Sequence, residues 1–163
     1  MPLGMTPTRR SEWLFWIAVA GIVALTTATI LLDRGYLWPL VNPLDWMLYA
    51  GLGVMATGML VRRIAVKTLG SSFSNLLMIK KGQTIVRSGM YATMRHPAYT
   101  GTLVMVAGIP LVFSSPIGLL PVSLAIPAVL YRISVEERML TDEFGEEYTE
   151  YKKTTKMLVP YIL

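Results

Sequence analysis

Residues 97–131 read PAYTG TLVMV AGIPL VFSSP IGLLP VSLAI PAVLY, thirty-five positions without a charge. A bilayer core takes about 20 apolar residues as a helix, so this run is too long for one crossing. Pro110 and the Ser114-Ser115-Pro116 break divide it into two segments. Working outward, two further charge-free runs precede it, Trp13 to Leu32 and Trp46 to Val61. The sequence therefore predicts an all-α polytopic membrane protein with about four transmembrane helices and a cytoplasmic C-terminal amphipathic helix. Composition agrees: of 163 residues, 53% are hydrophobic and 15% charged, and mean hydropathy is +0.51. The first run is too long for a signal-peptide core and lacks a small-residue cleavage site, so it reads as a mature helix.

Charge sets the expected orientation. Between Arg62 and Arg95 stand seven basic residues and no acidic one, which by the positive-inside rule puts that loop in the cytoplasm. Arg9 and Arg10, two crossings away, agree, so both termini are expected on the cytoplasmic side. The bland reading of the loop is a solvated basic face or contact with anionic membrane lipids. Nucleic acid is not expected as a partner, because no aromatic residues interleave these charges. The absence of cysteine excludes disulfides, thiolate catalysis and cysteine-ligated clusters, and no metal is expected.

The whole chain, 1–163, reads as one membrane domain. Residues 12–61 hold two N-terminal helices, with Gly51 and Gly58 seven apart on one face for close packing. Residues 62–97 form the basic loop, in which Leu76 to Ile79 and Thr84 to Val86 around Lys80-Lys81-Gly82-Gln83 read as a small hairpin or turn. Residues 98–133 form a helical hairpin whose second helix carries Pro121 and Pro127. From residue 134 onward Leu140, Phe144, Tyr148 and Tyr151 recur at helical spacing and predict one amphipathic helix with an aromatic stripe. Glu136 and Glu137 follow the last apolar segment directly, where a carboxylate is costly unless paired or used. The one histidine in the chain, His96, sits where the basic loop meets the long apolar run.

Several of these strings occur together in one order: Gly89-Met90-Tyr91, then Arg95-His96-Pro97-x-Tyr99-x-Gly101, then Arg132-Ile133-x-x-Glu136-Glu137-x-x-Leu140, then Phe144-Gly145-x-x-Tyr148-x-x-Tyr151, and Pro160. The pattern resembles the isoprenylcysteine carboxyl methyltransferase and phospholipid methyltransferase superfamily, integral membrane enzymes that use S-adenosylmethionine. One departure stands at Met157, where many bacterial relatives carry arginine. The resemblance implies a lipid-like acceptor entering from the bilayer, methylated on a prenylcysteine carboxylate, a phospholipid amine or a similar nucleophile. It implies cofactor contacts at Tyr91, His96, Pro97, Tyr99, Gly101, Arg132, Glu136, Glu137 and Tyr148, and catalytic roles for Arg95, His96 and Glu137. Arg95 and Arg132 are the candidates for an acceptor's anionic group. A nicotinamide-dependent reductase of related C-terminal sequence and a non-catalytic scaffold are the alternatives. Oligomeric state stays open, although the glycines of the second helix would permit a helix pair.

Overall fold

In a computed structural model the described residues are 9–33, 44–74, 78–79 and 82–159. Among these residues six α-helices succeed one another: α1 (Arg9–Leu32), α2 (Leu44–Leu69), α3 (Pro97–Val112), α4 (Leu119–Ser123), α5 (Ala125–Phe144) and α6 (Glu146–Thr154). Among the described residues, three helical stretches are long and apolar enough to cross a membrane: Glu12–Leu32, Trp46–Ser72 and Pro116–Phe144. Helix α3 is apolar but has 16 residues, about 24 Å of rise, short of the ~30 Å hydrocarbon core. Where about four crossings are expected, the described residues thus hold three long apolar helices and one short one. The chain is an integral, multi-pass membrane protein, and its outer surface fits that: Trp13, Ile17, Leu31, Trp46 and Leu120 are all at least 60% exposed.

Helices α2 and α3 form an antiparallel pair locked by glycine on both sides. A Cβ built on Gly101 would lie 2.6 Å from the Arg62 backbone nitrogen, and one on Gly108 would lie 2.8 Å from the Gly51 carbonyl oxygen. Gly51 and Gly58 meet the α3 backbone in the same way, whereas Gly53 faces open space. The seven-residue spacing read from α2 therefore serves a partner inside the chain. It is matched by the same spacing of Gly101 and Gly108 in α3.

Three sequence-based boundaries shift. Helix α2 runs past Val61 to Leu69, so the basic loop begins two turns later. The fourth predicted helix is broken at Leu124 into α4 and α5, between its two prolines; Pro127 has no N–H for the Ser123 carbonyl, the last residue of α4. Finally, α5 continues from the apolar segment through Phe144, and the chain turns at Gly145 with φ 55°, a left-handed conformation that glycine adopts without strain. The predicted C-terminal amphipathic helix is accordingly two pieces, and its stripe is shared between them. Tyr148 and Tyr151 on α6 are buried at 2% and 5% exposure.

Among the described residues between Leu69 and Gly89 there is no strand; Leu76, Leu77, Lys80 and Lys81 of the predicted hairpin lie outside them. Pro160 of the last motif lies outside them too. The pairing that does occur joins distant segments, Met94 with Lys156. Arg95 N–H donates to the Lys156 carbonyl at 2.8 Å, His96 N–H to the Met157 carbonyl at 3.0 Å, and the Thr100 hydroxyl to the Leu158 carbonyl at 2.6 Å. The C-terminal tail thus straps the Arg-His-Pro segment in place. Leu158 is buried with Val129 and Ile133, and Met157 packs against this cluster. The Met157 side chain, where the sequence departs from the motif, thus fills an apolar contact.

Candidate active site

A cavity of about 400 Å³ opens where α1, α3, α5, α6 and the loop after α2 converge. Its charged and polar lining includes Arg62, Arg95, His96, Tyr99, Arg132, Glu136 and Tyr148. Pro97 caps the entry to α3 at its first turn, where a missing N–H costs nothing, and this delivers His96 and Tyr99 to the cavity one turn apart. Tyr99 is a junction: its hydroxyl donates to Glu136 Oε2 at 2.9 Å and accepts from Arg132 Nε at 3.1 Å. The Arg132 guanidinium lies 4.4 Å from the centre of the Phe15 ring and 3.5 Å from Glu12 Oε1, both on α1.

Behind this wall stands Glu137. Its Oε1 accepts from Arg95 Nε at 2.7 Å and from His96 Nε2 at 3.3 Å, while Lys152 Nζ reaches Oε2 at 2.9 Å. Because an ionised carboxylate can only accept, the His96 proton on this side sits on Nε2, leaving Nδ1 as the ring nitrogen for a ligand. Arg95 is held a second time, by the carbonyls of Lys152 and Thr155. Glu137 does not line the cavity. Its side chain is 9% exposed and spends its acceptor capacity on Arg95, His96 and Lys152.

The nine predicted cofactor contacts therefore divide. Tyr91, His96, Tyr99, Arg132, Glu136 and Tyr148 line one cavity together, and catalytic candidate Arg95 joins them. Three do not: Glu137 supports from behind, Pro97 is buried at the helix start, and Gly101 faces the α2 backbone at Gly58 and Arg62. The reason is rotational, since adjacent helix positions point 100° apart and only packing decides which of them meets the cavity. Sequence reasoning missed Arg62, Lys152 and the α1 residues Phe15, Trp16 and Val19. Arg62 was signalled by its place at the end of a charge-free run; the α1 residues carried no chemical signal.

Burial, followed by the carboxylates of Glu137 and Glu136, pushes the Tyr148 phenol well above its ordinary range, and burial also lifts Tyr151 to about 12. Both stay protonated donors. Tyr151 donates to the Tyr91 carbonyl at 2.7 Å, whereas the buried Tyr148 hydroxyl has no hydrogen-bond partner among the described residues. A buried unpaired hydroxyl costs about 1–3 kcal/mol, and this one belongs to a residue of the cavity wall.

The sequence profile of the isoprenylcysteine carboxyl methyltransferase family matches residues 51–142. The chain belongs to that family. Its relatives include protein-S-isoprenylcysteine O-methyltransferase B of Arabidopsis thaliana, 29% identical over 93% of this chain and 87% of that protein. The Homo sapiens protein-S-isoprenylcysteine O-methyltransferase is 35% identical over 77% of this chain and 45% of its own length. A solved structure of a eukaryotic intramembrane Ras methyltransferase, isoprenylcysteine carboxyl methyltransferase, superposes with a TM-score of 0.75 at 25% identity, covering 88% of this chain and 52% of that one. The chain thus spans about half the length of the animal relatives it matches and most of the plant one. Family membership supports the methyltransferase reading with S-adenosylmethionine as donor and lends nothing to the reductase or the scaffold.

The cavity fits that donor. Its aromatic walls Tyr91, Tyr99 and Tyr148 suit an adenine and a sulfonium cation. Glu136 offers a carboxylate, Tyr148 an unused hydroxyl and His96 a ring nitrogen. The volume falls within the range of small-ligand sites.

Proposed function

We propose that this protein transfers the methyl group of S-adenosylmethionine to the carboxylate of a prenylated cysteine or a closely similar amphiphile, at the cytoplasmic face of a membrane. The observation that carries this reading is one cavity whose lining holds the Arg95-His96 turn and Tyr99, Glu136 and Tyr148, and is completed by apolar α1 residues at the membrane side. The donor supplies an electrophilic methyl carbon and a neutral leaving group. A carboxylate acceptor is already nucleophilic, so no proton need be removed. What the chain contributes is alignment and exclusion of water; well-oriented intramolecular reactions reach about 10⁵–10⁸ M effective molarity.

The residues then divide the labour. Glu136 and Tyr148 bind the donor, with the Tyr148 hydroxyl satisfied only on binding. The Glu137 carboxylate orients Arg95 and His96 through 2.7 and 3.3 Å contacts and is a positioning residue. Arg132, braced by Tyr99, holds the acceptor's anion. Residues 1–163 act as a single domain with both termini cytoplasmic.

The test is direct. Purified protein in detergent or nanodiscs, given S-adenosylmethionine and N-acetyl-S-farnesylcysteine, is expected to yield the methyl ester by mass spectrometry. The donor alone should raise the melting temperature, since a ligand at 100-fold excess over Kd stabilises the folded state by about 2.7 kcal/mol. A folded sample with neither product nor thermal shift rejects the reading.

A further inference from the structure

Resting on that reading, we propose that Glu12 of α1 occupies the seat of the acceptor's carboxylate on Arg132, and that an incoming amphiphilic acid displaces it. Glu12 would then set the enzyme's affinity for its acid substrate. It would also give the first helix, otherwise without chemical signature, a part in acceptor choice.

Three arginines line the cavity, and two are spoken for by the fold. Arg95 gives its Nε to Glu137 and its Nη1 to the carbonyls of Lys152 and Thr155, so an acceptor would have to dismantle the strap that holds the His96 segment. Arg62 donates to the Thr102 hydroxyl at 3.0 Å across the glycine-locked α2–α3 seam. Arg132 differs. Its Nε is braced by Tyr99 and its face by Phe15, which fix the guanidinium plane, while it meets Glu12 at 3.5 Å. That separation makes an ion pair but is too long for a good hydrogen bond. A ligand carboxylate able to approach to 2.7–2.9 Å, in the fork geometry that guanidinium favours, gains what Glu12 does not.

Exchange is also electrostatically cheap. Arg132 is buried, with its side chain 5% exposed, and cannot be left without an anion nearby; Glu12 is 19% exposed and can turn to water when replaced. Substituting one carboxylate for another keeps the buried cation compensated throughout, avoiding the cost of an uncompensated buried charge.

The surrounding side chains specify what is attached to the displacing acid. Phe15 and Val19 follow Glu12 at three and seven residues, hence on its face of α1, and both line the cavity together with Val129, one turn before Arg132 on α5. Trp16 joins that wall while half-exposed on the outer surface. An acid head on Arg132 therefore places an apolar tail along the α1–α5 seam, which leads to the lipid-facing side. Hydrophilic carboxylates satisfy Arg132 but bury nothing along this seam, so the site selects amphiphilic acids.

The experiment compares an acid with its own neutral ester. N-acetyl-S-farnesylcysteine and its methyl ester share the tail and differ at the carboxylate. In Glu12→Gln, KM for the acid is expected to fall about three- to tenfold, the range of a partly exposed ion pair, with kcat and the Kd of S-adenosylmethionine unchanged. Inhibition by the ester is expected to stay at the parent value. Glu12→Ala should act in the same direction, since loss of charge is the cause. An acid KM that is unchanged or raised in both variants, or acid and ester affinities that move together, overturns the inference. Binding of acid and ester without donor, followed calorimetrically in parent and Glu12→Gln, reads the same contrast with no turnover required. Absence of methyl transfer by the parent would thus strike the proposed reaction and leave Glu12 to be judged by the binding contrast.

Discussion

Replacing Glu137 by glutamine keeps the shape of the side chain and removes the charge on which three donors converge. Arg95 loses an ionic hydrogen bond of 2.7 Å between side chains that are each 9% exposed; a charge-assisted bond of this kind is worth about 1.5–3 kcal/mol. Lys152, at 2.9 Å but 39% exposed, can turn to water, so its share is about 0–1 kcal/mol. One glutamine oxygen still accepts a single bond, so the expected loss is at most the sum, about 1.5–4 kcal/mol. For a chain of 150–250 residues each kcal/mol corresponds to about 2–4 °C, giving a fall in melting temperature of about 3–16 °C. The assay is thermal unfolding in detergent, parent against variant, with and without S-adenosylmethionine. Turnover should fall as well, because Arg95 and His96 lose their common anchor. Glu136→Gln supplies the contrast: it lines the cavity, so donor affinity should fall with a smaller change in melting. A Glu137→Gln protein that melts within 1–2 °C (roughly half a kcal/mol) of the parent would refute the buried anchor and return Glu137 to the role of a solvated carboxylate.

Gly58→Ala places a methyl against the α3 backbone, 2.6 Å from the Gly101 carbonyl oxygen, and is expected to cost about 1–3 kcal/mol by overpacking, while Gly53→Ala, with nothing within 4 Å, should leave melting unchanged. Tyr148→Phe removes a buried hydroxyl that has no partner among the described residues, so the ligand-free protein should keep or gain stability while donor affinity, measured calorimetrically, falls about two- to tenfold. Orientation can be read in intact cells from single cysteines added to this cysteine-free chain: Phe113→Cys, 45% exposed in the α3–α4 turn, should react with an impermeant maleimide from outside and Thr84→Cys should be protected, and the reverse pattern would invert the topology.

Membrane class, helical architecture and the neighbourhood of the site were legible in the chain because they rest on local properties. Runs of apolar residues and their flanking charges act independently of how helices pack, and the Arg95-His96-Pro97 turn, the Glu136-Glu137 pair and the Tyr148 spacing are short strings whose order identifies a family. Gly51 and Gly58 likewise declared a close-packing face. Only tertiary structure decided what each string faces. Gly101 meets the α2 backbone because its missing Cβ lets two backbones touch. Of two adjacent glutamates, 136 reaches the cavity and 137 stands behind it, since the rotation of α5 is set by Val129 and Ile133 packing under the C-terminal strap. The break at Gly145 turned one apparent stripe into two helices. The part played by Glu12 was invisible for a related reason: its partner Arg132 lies 120 positions away, and no periodicity or motif reports a contact that exists only once α1 is laid against α5.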